Sequence, residues 1–328
     1  MFHQSPATRR GPFLRLGQGR AALVAVCLAV VAAVGSSGPA VGADRAATEH
    51  RAIVDVPGSR STSEQARQSA LLAYWTPERI GKALANEEAG GSRSLSRAQA
   101  APVDGPHSTA VGKLVFEHAN GKPDACTGTV INSDSEVLVL TAAHCLHDGP
   151  GLDWTKNQVF YPGFHDGSAP YGGFTAWNIA TSPAWSVGSK PDYQHDYGML
   201  VVNDNAAGET VLDAAGGYQI APDMRTGEQV SLIGYSGPPY DGNHQEFCQD
   251  LVEPTVPPLN MWQVECPNMT PGSSGGPWLL DYDYDTGTGY IGGLNSINDT
   301  GDFMASPRFD NDMKTFYAMM EQIGEARP

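Results

Sequence analysis

The sequence predicts an all-β body of short strands, and three observations predict it. Of 328 residues, 38 are glycine and 24 proline, well above ordinary usage. Only 17% are charged, which is low for a protein surfaced by long helices. From Pro106 onward, short runs of β-branched, aromatic and aliphatic residues alternate with turns of Gly, Asn, Asp and Pro, a spacing that suits a sandwich or barrel.

Along the chain, residues 1–43 come first. Arg9, Arg10, Arg15 and Arg20 precede an apolar run from Ala21 to Val34, and Val41-Gly42-Ala43 offers a signal peptidase its small residues. The run is shorter than the ~20 residues a membrane span needs, so it is read as a cleaved export signal, and no other stretch is long enough to span a bilayer. Phe13 sits one place later than the twin-arginine pattern wants, which leaves the export route open. Residues 44–105 read as weakly structured, with one helix entered at Thr76 as N-cap, Pro77 at its first position, and Ile80, Ala83 and Leu84 on one face. The Gly/Ser/Arg/Ala tract that follows carries Arg93 and Arg97, where processing proteases cut, so 44–105 is a propeptide or a retained N-terminal extension. In residues 106–328, strands are expected at Val111–Phe116, Thr127–Ile131, Glu136–Leu140, Tyr197–Val202, Gln229–Tyr235, Met261–Val264, Trp278–Leu280 and Tyr290–Leu294. A terminal helix is expected where Met313, Phe316, Tyr317, Met320 and Ile323 share one face behind Asp310.

The formal charge of the chain is −16, and residues 106–328 alone hold eight basic against twenty-eight acidic side chains. Such a surface repels phosphate backbones, which excludes nucleic acid as a partner; after signal cleavage no membrane partner is expected either. Outside the signal there are four cysteines, Cys126, Cys145, Cys248 and Cys266. Three pairings are possible; Cys126 with Cys145 and Cys248 with Cys266 is favoured because each closes a loop of under ~25 residues between neighbouring β-runs. An exported protein meets an oxidising medium, and no Cys-x-x-Cys is present, so no metal is expected at these positions.

Two segments carry chemistry: Cys126-Thr127-Gly128-Thr129 followed by Leu140-Thr141-Ala142-Ala143-His144-Cys145, and Pro271-Gly272-Ser273-Ser274-Gly275-Gly276-Pro277. A serine hydroxyl attacks a carbonyl only if a base takes its proton, and the base needs a buried carboxylate to fix its tautomer. From about Val111 to Ile323 the chain resembles the chymotrypsin/trypsin-like serine peptidases, in particular the secreted bacterial branch related to glutamyl endopeptidase-like enzymes. The resemblance implies two six-stranded antiparallel β-barrels with a C-terminal helix, and a secreted, monomeric endopeptidase acting on polypeptides without a cofactor. It implies His144 as base, Ser274 as nucleophile, and the amides of Gly272 and Ser274 as an oxyanion hole. Asp196, set just ahead of the run Tyr197–Val202, matches the family's carboxylate, with Asp192 as its rival. The order His, Asp, Ser excludes the subtilisin and α/β-hydrolase arrangements.

The sequence also departs from the family. Many animal members place an aspartate before the nucleophile to receive a newly cut amino terminus, whereas this chain has Ser273. Activation would then work by removing a pro-segment, with the mature start between Arg93 and Val111. Trypsin's charged pocket floor corresponds to Asn268, and the histidine of the glutamate-selective relatives to Leu294, so neither preference is carried over; Thr270 and Ser296 are the other candidates for the specificity pocket. Asp281 to Gly287 alternates acids but lacks the Gly and Glu of a calcium loop and reads as a hairpin turn. His144 and His147 lack the spacing of a helical zinc pair. His107, His118, His147, His165, His195 and His244 read as surface or hydrogen-bonded core residues. The competing function is an inactive homologue that binds peptides or proteins through the same cleft.

Overall fold

The computed structural model describes residues 49–57, 63–86, 107–298 and 301–328. The expected export signal and the stretch bearing Arg93 and Arg97 lie outside the described residues. Among the described residues no helix is long and apolar enough to cross a membrane.

The weak structure expected before Pro106 is corrected. Strand β1 (Glu49–Arg51) and helices α1 (Glu64–Tyr74) and α2 (Pro77–Asn86) are formed there. Ser63 caps α1, its side chain accepting from the Ala66 amide. Thr76 caps α2 as its sequence predicts, its hydroxyl accepting from the Arg79 amide at 3.3 Å. Leu71, Trp75, Ala83 and Leu84 are all buried, so the segment belongs to the packed body.

The first half of the body is a closed six-stranded antiparallel barrel. It is built from β2 (Val111–Glu117), β3 (Pro123–Val130), β4 (Leu138–Thr141), β5 (Lys156–Pro162), β6 (Phe174–Thr181) and β7 (Gly198–Val202). Their order is β6-β5-β2-β3-β4-β7, and pairing of β6 with β7 closes the ring. Phe160 fills its centre, and Gly112 and Gly128 leave room for it: a Cβ at Gly112 would lie 2.5 Å from the Phe160 ring. β1 adds to the outer edge by pairing with β6.

The second half departs from the expected six-stranded barrel. Its eight strands are β8 (Gln219–Ile220), β9 (Gln229–Gly234), β10 (Glu246–Leu251), β11 (Glu253–Pro254), β12 (Trp262–Glu265), β13 (Pro277–Asp283), β14 (Thr288–Leu294) and β15 (Phe303–Ser306). They form a five-stranded sheet, β10-β9-β13-β14-β8, and a three-stranded sheet, β11-β12-β15. β14 and β15 share no ladder: the Leu294 amide donates to the Ser306 hydroxyl at 2.9 Å, and backbone bonds join Ala305 of β15 to Ser296 and Ile297, just after β14. The core between the sheets holds Val230, Leu232, Val252, Val264, Trp278 and Met304. The hairpin turn expected between β13 and β14 is formed, with the Asp283 carboxylate accepting the amides of Asp285 and Thr286.

Both expected disulfides are present. Cys126–Cys145 ties β3 to the turn that bears His144, and Cys248–Cys266 ties β10 to the end of β12. Helix α3 (Asn311–Glu325) starts at Asp310, whose side chain accepts the Asp312 amide, and buries Met313, Phe316, Met320 and Ile323. Phe316→Ala should therefore cost about 3–5 kcal/mol in urea unfolding, and Lys314→Ala on the exposed face less than about 1 kcal/mol. Equal effects would mean the helix does not pack by this face.

Candidate active site

β4 ends at Thr141, and the chain then tightens into a single 3₁₀ turn, Ala143–Cys145, which carries His144 at the surface while Cys145 is held by its disulfide. Asp196 follows another 3₁₀ turn, Tyr193–His195, immediately before β7, and is fully buried. Because β4 pairs with β7, Thr141 opposite Gly198, the two turns emerge side by side. A buried carboxylate must be paired. Asp196 accepts three hydrogen bonds: from His144 Nδ1 at 2.8 Å, from the His144 amide at 2.9 Å, and from Ser296 Oγ at 2.6 Å.

These bonds set both ionisations. Burial raises the Asp196 carboxyl, but the His144 charge and the donors around it outweigh burial and hold it below the ordinary carboxylate value. Burial likewise lowers the His144 imidazole, and the Asp196 charge and hydrogen bond outweigh that, leaving it above the ordinary histidine value. An ionised carboxylate only accepts, so Nδ1 carries the proton and Nε2 is left with its lone pair.

The second half supplies the loop Pro271–Gly276. Gly272 and Gly275 have φ of 95° and 82°, a left-handed region that glycine alone enters without strain. Packing restricts Gly275 further, since a Cβ there would lie 2.3 Å from the Thr127 carbonyl and 2.2 Å from Thr141 Oγ1. Asn295 clamps the loop from behind: its carbonyl accepts the Gly275 amide at 2.7 Å, and its side-chain nitrogen donates to the Ser273 carbonyl at 3.1 Å. The Ser273 amide is used by the Thr270 carbonyl. By contrast, the amides of Gly272 and Ser274 donate to no described residue. Ser274 is half-exposed, and its hydroxyl makes no hydrogen bond to His144 or to any other described residue.

Thr127, which its sequence context does not single out, seats this loop against the barrel. Its amide donates to the Ser274 carbonyl at 2.8 Å, and its hydroxyl donates to the Gly272 carbonyl at 2.9 Å while accepting the Tyr235 amide at 2.9 Å. Its own carbonyl accepts from Thr141 Oγ1 at 2.8 Å. One residue of β3 therefore holds two carbonyls of the loop and the end of β9.

The structure gives the other candidates these partners. Ser296, expected in a specificity pocket, is a partner of Asp196. Leu294 is wholly buried in the core. The Thr270 hydroxyl donates to the Gly237 carbonyl at 2.9 Å, and the Asn268 side-chain nitrogen donates to the Phe247 carbonyl at 3.0 Å. Asp192 caps the Tyr193–His195 turn and holds His195 Nδ1 at 2.9 Å, away from His144. Cys126, His144 and Cys145 cluster closely enough to hold a metal ion, but the two sulfurs are bonded to each other and offer no thiolate.

A trypsin-like peptidase domain model matches residues 126–284. The crystal structure of the thermostable serine protease AL20, from an extremophilic microorganism, is 30% identical with a TM-score of 0.61; the match covers 66% of this chain and 99% of that one. The chain belongs to the trypsin-like peptidase family. The protease Anisep from Arthrobacter nicotinovorans is 27% identical over 66% of this peptidase and 96% of its own chain, with a TM-score of 0.59. A Glu endopeptidase shares the fold at 17% identity, over 68% of this chain and 96% of its own, with a TM-score of 0.54. No curated protein matches the chain.

Beside the site of this trypsin-like peptidase, His118 lies between two carboxylates, with Nε2 3.0 Å from Asp124 and Nδ1 2.6 Å from Asp148. Their hydrogen bonds, Asp124 first, outweigh burial and push its pKa up to about 9. Because the folded value exceeds the unfolded one, this stabilisation is complete below about pH 6.5 and is lost as pH rises through about 9. Thermal unfolding of the protein and of His118→Gln across pH 6 to 10 should show a stability gap that closes over this window. A gap independent of pH would show that His118 is not held as an imidazolium.

Proposed function

We propose that this trypsin-like peptidase is a secreted serine endopeptidase that cleaves polypeptides through an acyl-enzyme. The observation that carries the reading is the His144–Asp196 couple in the same seam as a glycine loop whose two unspent amides flank a half-exposed serine. Membership of a peptidase family implies polypeptide substrates. The two disulfides form and persist in an oxidising medium and so support export. In this reading residues 1–43 are a cleaved signal, the chain is cut between Arg93 and Val111, and the peptidase body acts as a monomer.

The chemistry follows from the groups present. Ser274 Oγ attacks the scissile carbonyl carbon while His144 Nε2 takes its proton, and the carbonyl oxygen becomes an oxyanion held by the Gly272 and Ser274 amides. Asp196 keeps its charge, stabilises the imidazolium and stays unprotonated. Collapse expels the amine, which receives the proton from His144 and leaves Ser274 acylated. Water, deprotonated by His144, then attacks the ester; the acid departs and the Ser274 hydroxyl is restored. A contact between a catalytic hydroxyl and its base commonly tightens only when substrate binds.

The missing Ser274–His144 bond is also what favours the second reading, an inactive homologue that binds peptides. A fluorophosphonate probe separates the two. The exported, processed protein should be labelled at Ser274, with labelling abolished in Ser274→Ala. Asp196→Asn should lower kcat by about 10⁴-fold, because the imidazole would be held in the wrong tautomer. Activity should rise with pH through a pKa above the ordinary histidine value, as the raised His144 imidazolium gives up its proton. A folded, processed protein that takes no label would establish the binding module instead.

A further inference from the structure

Residues 49–57 and 63–86 fit the first barrel as members of it, which is not how a detachable propeptide fits. We propose that this segment is a permanent noncovalent partner of the peptidase body, so that cleavage between Arg93 and Val111 yields a two-piece working enzyme. The proposal rests on the processing step of the function proposed above, but not on the chemistry at Ser274.

Asn157 carries the argument. It is fully buried near the start of β5, where the β2–β5 ladder shifts register, and its φ is 60°. Its amide donates to the Ile53 carbonyl at 2.8 Å, and its carbonyl accepts from Trp75 Nε1 at 2.7 Å. Its side-chain oxygen accepts the Asp55 amide at 2.7 Å, and its side-chain nitrogen donates to the Asp55 carbonyl at 3.3 Å and to Glu117 at 2.6 Å. Every polar group of this buried residue is thus engaged by the segment, and its side-chain nitrogen also reaches Glu117 of the body. Loss of the segment would strip three groups of their partners, and each unpaired buried group is costly. Glu117, itself buried, also accepts from the Tyr74 hydroxyl.

The apolar fit agrees. Strands β2, β5 and β6 are covered on both faces, the outer one by α1 and α2, where an uncovered barrel would show water. Gly173 is a socket for α1: a Cβ there would lie 2.6 Å from Leu72 and 2.7 Å from the Tyr161 ring. Arg51 lies 3.8 Å over the Trp177 ring, and β1 satisfies the edge of β6 that would otherwise be open. The contact also reaches the site. His50 stacks on Trp154 at 5.4 Å, Trp154 meets the His147 ring edge-on at 4.7 Å, and Trp185, which donates to the His147 carbonyl, stands 6.3 Å from the His144 ring.

The test is a protease recognition site placed between Arg93 and Arg97 of the full chain. The cut protein is passed through gel filtration without denaturant, and the fractions are weighed by denaturing mass spectrometry. The fragment ending in this stretch should co-elute with the body and separate only in denaturant. Trp75→Ala, which removes a buried ring and its bond to Asn157, should raise the dissociation constant of the fragment at least ~100-fold. Elution of the unsubstituted fragment apart from the body, whether the body stays folded or aggregates, would overturn the proposal. Fluorophosphonate labelling of the same fractions keeps the two readings apart: co-elution without label would sink the peptidase chemistry and leave the partnership standing.

Discussion

The site depends on one buried negative charge. An unpaired carboxylate in a protein interior is so costly that it would rather take up a proton, and a protonated Asp196 could neither fix the His144 tautomer nor stabilise its cation. Three donors keep it ionised, and they come from both halves of the molecule: the amide and ring of His144 from the first barrel, and the Ser296 hydroxyl from the segment after β14. The charge is therefore satisfied only when the halves are docked, and docking of the halves is also what brings the Pro271–Gly276 loop to the histidine.

That docking is specified by backbone groups more than by side-chain shape. Thr127 addresses two loop carbonyls and the Tyr235 amide, while Asn295 holds the loop from its other side. Between them the loop's amides are divided: those of Ser273, Gly275 and Gly276 are bonded within the protein, and those of Gly272 and Ser274 are left over. An unspent donor is costly unless water or a substrate oxygen can reach it, and of the two residues Gly272 is buried and Ser274 half-exposed. Gly275 makes this division possible, since any side chain there would push the loop off β3 and β4.

Much of this was legible in the sequence because it is local. Eight strands, α2 and α3 announce themselves by runs, caps and periodicity, and the motifs around His144 and Ser274 are short. What the sequence hid is long-range. β5 and β6, which the sequence does not mark as strands, carry Asn157 and Asn178, buried polar residues whose side chains bond Asp55 and Glu49 more than 100 residues away. Nothing local to Ser296 announces its bond to Asp196, 100 residues away in sequence. The second barrel failed as an expectation because its eight strands divide into two sheets, a pairing choice that no local run of residues announces. Periodicity reports which face of a strand is apolar and says nothing about which of its amides a distant side chain will take.

The surplus of acid has a structural counterpart. With eight basic residues against twenty-eight acidic ones in residues 106–328, few lysines or arginines are available to answer carboxylates. Histidines take that place: His118 lies between Asp124 and Asp148, His195 is held by Asp192, and His244 lies between Asp166 and Asp241. A carboxylate pair around one imidazole favours its cation, so the body carries less net negative charge near neutrality than a count with neutral histidines gives. The compensation is local and conditional on pH, whereas a lysine would supply it throughout. Behind burial and Asp196, which dominate at His144, Asp124 and His118 add smaller opposing effects: the carboxylate raises the imidazole and the His118 charge lowers it. The surface charge balance and the ionisation of His144 are thus coupled through the hairpin between β2 and β3.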